Sequence, residues 1–187
     1  MNYPHLGGHL DMTHLDEGAL KWLMQLGCRS LLDVGCSVGG QVALAHRLGM
    51  NAYGIEGDYS LLQESKAICP ERMVFTDITK VVFVFPAPFD ATWCIEVAEH
   101  IEEQYTGNLL STISANLMVD GKAVMTANQG ISGFHHVNLK PREWWIDQAI
   151  RHGLIYDEAM TAELKSASTM AREFIQNTGM VFRKRLL

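Results

Sequence analysis

Short apolar runs alternate along this chain with stretches of helical periodicity. Residues 31–34, 51–56, 73–77, 89–96, 121–126, 154–156 and 180–183 read as strands, rich in Val, Ile, Phe and other apolar residues. Between them apolar positions return every three or four residues, which predicts helices over 41–48, 58–67, 102–118, 142–152 and 161–176. An earlier helix is expected from Thr13 to about 26, where Leu15, Leu20, Leu23 and Met24 share one face and Thr13 to Asp16 resembles a capping box. Pro141 opens one helix and Gly153 stops it. Strands alternating with helices predict an α/β fold: a three-layer sandwich around a mostly parallel seven-stranded sheet, its last strand antiparallel.

With 187 residues the chain is long enough for one domain with a sizeable core. The whole of 1–187 is read as that domain, with 1–28 as an N-terminal cap segment and helix and 159–176 as a helical insertion. The strongest apolar run, 81–85, is strand-sized, and no run is long enough to span a bilayer. The first ten residues hold Pro4, Gly7 and His5 and lack the apolar core of a signal peptide. Cys28, Cys36, Cys69 and Cys94 are scattered and read as reduced thiols of a cytoplasmic protein. The net charge of −6 opposes binding along duplex nucleic acid, and the one basic cluster is Arg183 to Arg185.

The chemistry is concentrated after the first strand. Asp33 lies near its end, and Gly35, Cys36, Ser37 and Gly39 form a glycine turn into the next helix. Such a turn brings bare backbone up to a ligand at the carboxyl edge of a sheet. Glu56 follows Gly35 by 21 residues and ends the second strand, the offset at which an acid accepts the hydroxyls of a ribose. Residues alone leave a dinucleotide or S-adenosylmethionine as the ligand. A GxGxxG fingerprint needs glycine at position 37, which is Ser.

The run Asp33-x-Gly35-x-Ser37-x-Gly39 resembles motif I of the class I S-adenosylmethionine-dependent methyltransferases, which are Rossmann-like. Glu56, then Asp77 with Ile78, then Phe89, Asp90 and Glu96 follow in the order of that family. The resemblance implies a transferase that uses S-adenosylmethionine. Gly35, Cys36, Ser37 and Gly39 would face the methionine part and Asp33 its ammonium. Glu56 and Gly57 would meet the ribose, Asp77 and Ile78 the adenine, and Glu96 the cofactor from the next strand end. The family's in-line methyl displacement rests on proximity and orientation.

Glu96, Glu99 and His100 fall within one expected helical turn. With His136 they can hold a divalent cation such as Mg, Mn, Fe or Zn. The segment 95–101 resembles two metal-dependent branches of the family, one methylating the 3′-terminal ribose of small RNAs, the other O-methylating catechol rings of quinone precursors. The second reading of the same residues has no metal, with His100, His135 or His136 as general base. Phe134, Trp144 and Trp145 fall where the family receives its acceptor. The expected function is O-methylation of a small hydroxyl-bearing molecule. Methylation of an RNA 3′ end, or cofactor binding without transfer, are the alternatives.

Overall fold

The computed structural model describes residues 12–130 and 133–185; the irregular segment expected over 1–11, with His5 and His9, lies outside them. Seven strands form one sheet: β1 (Ser30–Val34), β2 (Asn51–Glu56), β3 (Met73–Phe75), β4 (Phe89–Cys94), β5 (Leu117–Met125), β6 (Leu154–Tyr156) and β7 (Met180–Lys184). Their order is β3-β2-β1-β4-β5-β7-β6. The first five run parallel, and β7 lies antiparallel between β5 and β6. The order reverses between β1 and β4, which opens a crevice at their carboxyl ends.

Strand alternation divides the core in two. Leu31, Ala52, Ala91 and Trp93 point to one face. There they meet α1 (Glu17–Gln25), α2 (Gly40–Arg47) and α6 (Glu158–Ala167) through Leu20, Leu23, Val42 and Leu164. Leu32, Val34, Ile55 and Cys94 point to the other face. They pack on α4 (Thr106–Ala115) and α5 (Arg142–Arg151) through Leu109, Ile113 and Trp145. This is the three-layer arrangement the pattern predicts, since a strand covered on both faces reads as an unbroken apolar run.

Three helices differ from their expected lengths. The segment after β2 holds only α3 (Ser60–Gln63), because Ser65 turns left-handed at φ 57° and the Ile68 N–H bonds back to Val38 O at 2.8 Å. The long helix expected over 102–118 is a 3-10 turn followed by α4, and β5 begins at Leu117. The helix expected over 161–176 is α6 and α7 (Phe174–Thr178), separated by an irregular segment.

That break has a cause far away in the chain. Asp16, fully buried, caps α1 through the Ala19 N–H and also accepts from the Ser168 hydroxyl and the Thr169 N–H, the latter two at 2.5 and 2.9 Å. The Gln41 amide bridges the Asp16 N–H and C=O, tying the start of α1 to the first turn of α2. Asp16, not Thr13, is therefore the cap. Thr13 has turned onto the glycine turn, where its hydroxyl accepts from Gly40 N–H at 3.1 Å and donates to Cys36 O at 3.4 Å.

Candidate functional site

The turn after β1 is built by left-handed backbone. Gly35 and Gly39 have φ of 80° and 85°, and Ser37 shares that region at 52°. The Gly35 and Cys36 N–H groups both donate to Ile55 O, at 2.9 and 3.0 Å. The Cys36 side chain is buried toward β2, so only its backbone is offered at the turn. A cleft of about 340 Å³ opens beside the turn. Gly35, Glu56, Gly57, Asp77 and Ile78 line it, five of the ten residues expected to meet the cofactor. Ile55, Val97 and Ile101 supply apolar walls suited to a flat base. Val97 and Ile101 escape a reading of the sequence, because their segment shows its charged residues first.

Glu56 is fixed before any ligand arrives. Its two carboxylate oxygens accept from the Ser37 N–H at 2.7 Å and the Asp58 N–H at 2.8 Å. Asp77 is engaged as well: one oxygen accepts from the Thr79 N–H and hydroxyl, and the other pairs with Lys80 at 3.0 Å. Asp33, on β1 between β2 and β4, is nearly sealed. Burial pushes its carboxyl up to about 8, and the Glu56 charge adds to the shift.

Across the crevice stands the acidic segment after β4. Glu96 does not share a helical turn with Glu99 and His100. It has left-handed backbone, φ 55°, and Thr126 holds it. The Thr126 hydroxyl accepts from the Glu96 N–H at 2.8 Å and donates to its carboxylate at 2.9 Å. Thr126 ends the fifth strand of the sequence pattern, and nothing there marks this contact. Glu99 and His100 follow on a 3-10 turn, Ala98–His100. The loop after β5 docks on the same turn, with the Val137 and Asn138 N–H groups both donating to Glu99 O, at 3.0 and 3.1 Å. The docked loop brings the His136 ring within 4.9 Å of the His100 ring, edge to face.

Glu99, His100 and His136 thus present ligand atoms within 4.8 Å of one another, a group that Glu96 does not join. Glu99 is fully buried; no well-formed hydrogen bond reaches its carboxyl oxygens among the described residues, and the Glu96 carboxyl and the Asn128 N–H are its polar neighbours. Burial pushes Glu99 up to about 8, with the nearby Glu96 charge contributing. Burial and then the neighbouring His136 and His135 lower His100 to about 4, so its imidazole is neutral at neutral pH. His135, at φ 49°, has a buried Nε2 without a hydrogen-bond partner among the described residues. Of the aromatic residues expected near an acceptor, Trp145 is core, Trp144 lies edge-on to it at 4.9 Å, and Phe134 is exposed.

A seven-stranded sheet of this order, with a glycine turn after β1 and an acid after β2, defines a nucleoside-binding α/β protein. The chain belongs to the methyltransferase domain family, whose model matches residues 32–125, and it is a methyltransferase that uses S-adenosylmethionine. No curated protein sequence matches this chain. Among solved structures it resembles the sugar N-methyltransferase KedS8 of Streptoalloteichus sp ATCC 53650, at TM-score 0.66 and 15% identity over 91% of this chain and 88% of that one. The amino pentose methyltransferase CalS10 of Micromonospora echinaspora, with S-adenosylmethionine bound, gives 0.64 and 15% over 90% of each chain. A TehB-like methyltransferase of Corynebacterium glutamicum gives 0.63 and 22% over 90% and 88%. No helix among the described residues is long and apolar enough to cross a membrane.

Proposed function

We propose that this methyltransferase moves the methyl group of S-adenosylmethionine to a hydroxyl oxygen of a small molecule. In this reading Glu99, His100 and His136 hold a divalent cation against that hydroxyl. The observation that carries it is the convergence of Glu99, fully buried, with two imidazoles, their ligand atoms within 4.8 Å of one another. Burial and the Glu96 charge disfavour the ionised form of Glu99, and a bound cation would restore it. One carboxylate and two imidazoles suit Mn, Fe or Zn better than Mg, which takes oxygen ligands. A cation in this place lowers the pKa of a bound hydroxyl.

The chain's own residues do the rest. The cleft between Ile55, Ile78, Val97 and Ile101 takes the adenine, Glu56 the ribose hydroxyls and Asp33 the ammonium. The acceptor oxygen gives up its proton and bonds to the methyl carbon as the carbon–sulfur bond breaks. The electron pair stays on sulfur, leaving S-adenosylhomocysteine. In this reading His135, whose buried Nε2 has no hydrogen-bond partner among the described residues, takes the proton.

Titration calorimetry with Mn²⁺ and Zn²⁺ tests the cation directly, before any acceptor is known. Wild type should bind one ion per chain, and Glu99→Gln and His136→Ala should each bind it at least tenfold more weakly. Labelled-methyl transfer to a catechol should then stop in chelator and return with Mn²⁺ or Zn²⁺. A wild-type chain that binds no divalent ion, or that methylates an amine at full rate in chelator, refutes the reading.

A further inference from the structure

The irregular segment between α6 and α7 carries a cation at the mouth of the crevice. Asp16 pins Ser168 and Thr169 at its start. Arg172 follows, with its guanidinium carbon 5.8 Å from the centre of the Phe174 ring. Phe174 in turn meets the His14 ring edge-on at 4.8 Å. His14 adjoins Thr13, which bonds to Gly40 and Cys36. The guanidinium therefore stands at the end of a stack that begins on the glycine turn. From the other side its charge reaches Glu96, whose carboxyl burial pushes up and Arg172 partly offsets.

We propose that Arg172 is the carboxylate receptor of this site. It is exposed, and no carboxylate among the described residues pairs with it. A guanidinium laid on an aromatic face keeps its fork of N–H donors free for a planar, bidentate anion. The strand ends around the crevice carry carboxyl groups, Asp33, Glu56, Glu96 and Glu99, and offer a second carboxylate no cationic partner. One cation at the mouth thus fixes where a carboxylate lies. Two reactants can bring that group: the methionine tail of the cofactor, or an acidic acceptor. The inference rests on the cofactor placement given above.

Calorimetry on wild type, Arg172→Ala and Arg172→Lys separates the sources. The probes are S-adenosylhomocysteine and 5′-methylthioadenosine, which lacks the amino-acid tail. Two more, 3,4-dihydroxybenzoate and catechol, are titrated into the S-adenosylhomocysteine complex. If the cofactor supplies the carboxylate, Arg172→Ala weakens S-adenosylhomocysteine at least tenfold and leaves 5′-methylthioadenosine unchanged. If the acceptor supplies it, S-adenosylhomocysteine is unchanged and the preference for 3,4-dihydroxybenzoate over catechol disappears. In either case Arg172→Lys recovers part of the loss. An Arg172→Ala chain with unchanged melting temperature and neither effect overturns the proposal. Failure of wild type to bind either nucleoside overturns the cofactor placement, and this inference with it.

Discussion

Cofactor binding should expel a proton from Asp33. Its carboxyl sits at about 8 in the free protein because burial and Glu56 disfavour its charge. At pH 7 a group with that value is about nine-tenths protonated. The cofactor's ammonium, placed against it, restores the ionised form. Binding at pH 7 should then release about 0.9 proton. The free protein holds more protons than the complex, so affinity must rise with pH. The slope should approach tenfold per pH unit from about 5.5 to 6.5 and flatten above about 7. Near 8 the cofactor's own α-amine begins to lose its charge, so affinity should peak there. Calorimetry of S-adenosylhomocysteine in Tris and in phosphate at pH 7 reads the proton number, since the two buffers differ in ionisation enthalpy. In Asp33→Asn the release and the slope should both vanish. A wild-type release below about 0.3 proton would refute the placement of the ammonium at Asp33.

Other consequences are simpler to read. Glu56→Ala should weaken S-adenosylhomocysteine by about 1.5–3 kcal/mol, since it removes a charged hydrogen-bond acceptor and frees the Ser37 and Asp58 N–H groups; an unchanged Kd excludes the ribose role. Gly35→Ala should abolish binding, because the new Cβ would lie 2.4 Å from Val97 Cγ2 at a φ of 80°. Adding Val97→Ala should recover only part of it, as the backbone strain remains; complete recovery would contradict that. Asp16→Ala should cost about 3 kcal/mol, roughly one for the lost cap and the rest for buried donors left unpaired. For a chain of this length that lowers Tm by about 6–12 °C, measurable by calorimetric melting.

The elements legible in the sequence are those whose cause is local. Residues 51–56 and 154–156 read as strands at their true limits because the sheet buries them and the flanking turns are short. The glycine turn and Glu56 were legible for a similar reason, since a fixed spacing carries the chemistry. What the pattern misjudged was decided at a distance. Residues 168–173 have helical composition, but Asp16, more than 150 positions earlier, takes the Ser168 hydroxyl and the Thr169 N–H. The Glu99 and His100 pair was visible as a motif, while its meeting with His136 depends on Val137 and Asn138 docking on Glu99 O. Glu96 reads as part of the same turn, and only the Thr126 hydroxyl reveals what holds it off that turn, beside Glu99.

The Asp16 contacts also constrain how the chain is made. During synthesis α1 emerges early, and its apolar face of Ala19, Leu20 and Leu23 has no complete partner. The residues that close over its start, Ser168 and Thr169, leave the ribosome about 150 residues later, which at roughly 5–20 residues per second is about 8–30 seconds. Joining such distant positions is also the contact that most slows folding by loop closure. The cap that steadies the glycine turn is therefore among the last parts of the protein to form. A stalled or truncated nascent chain would present an uncapped helix and an apolar stripe, a ready target for chaperones or proteases.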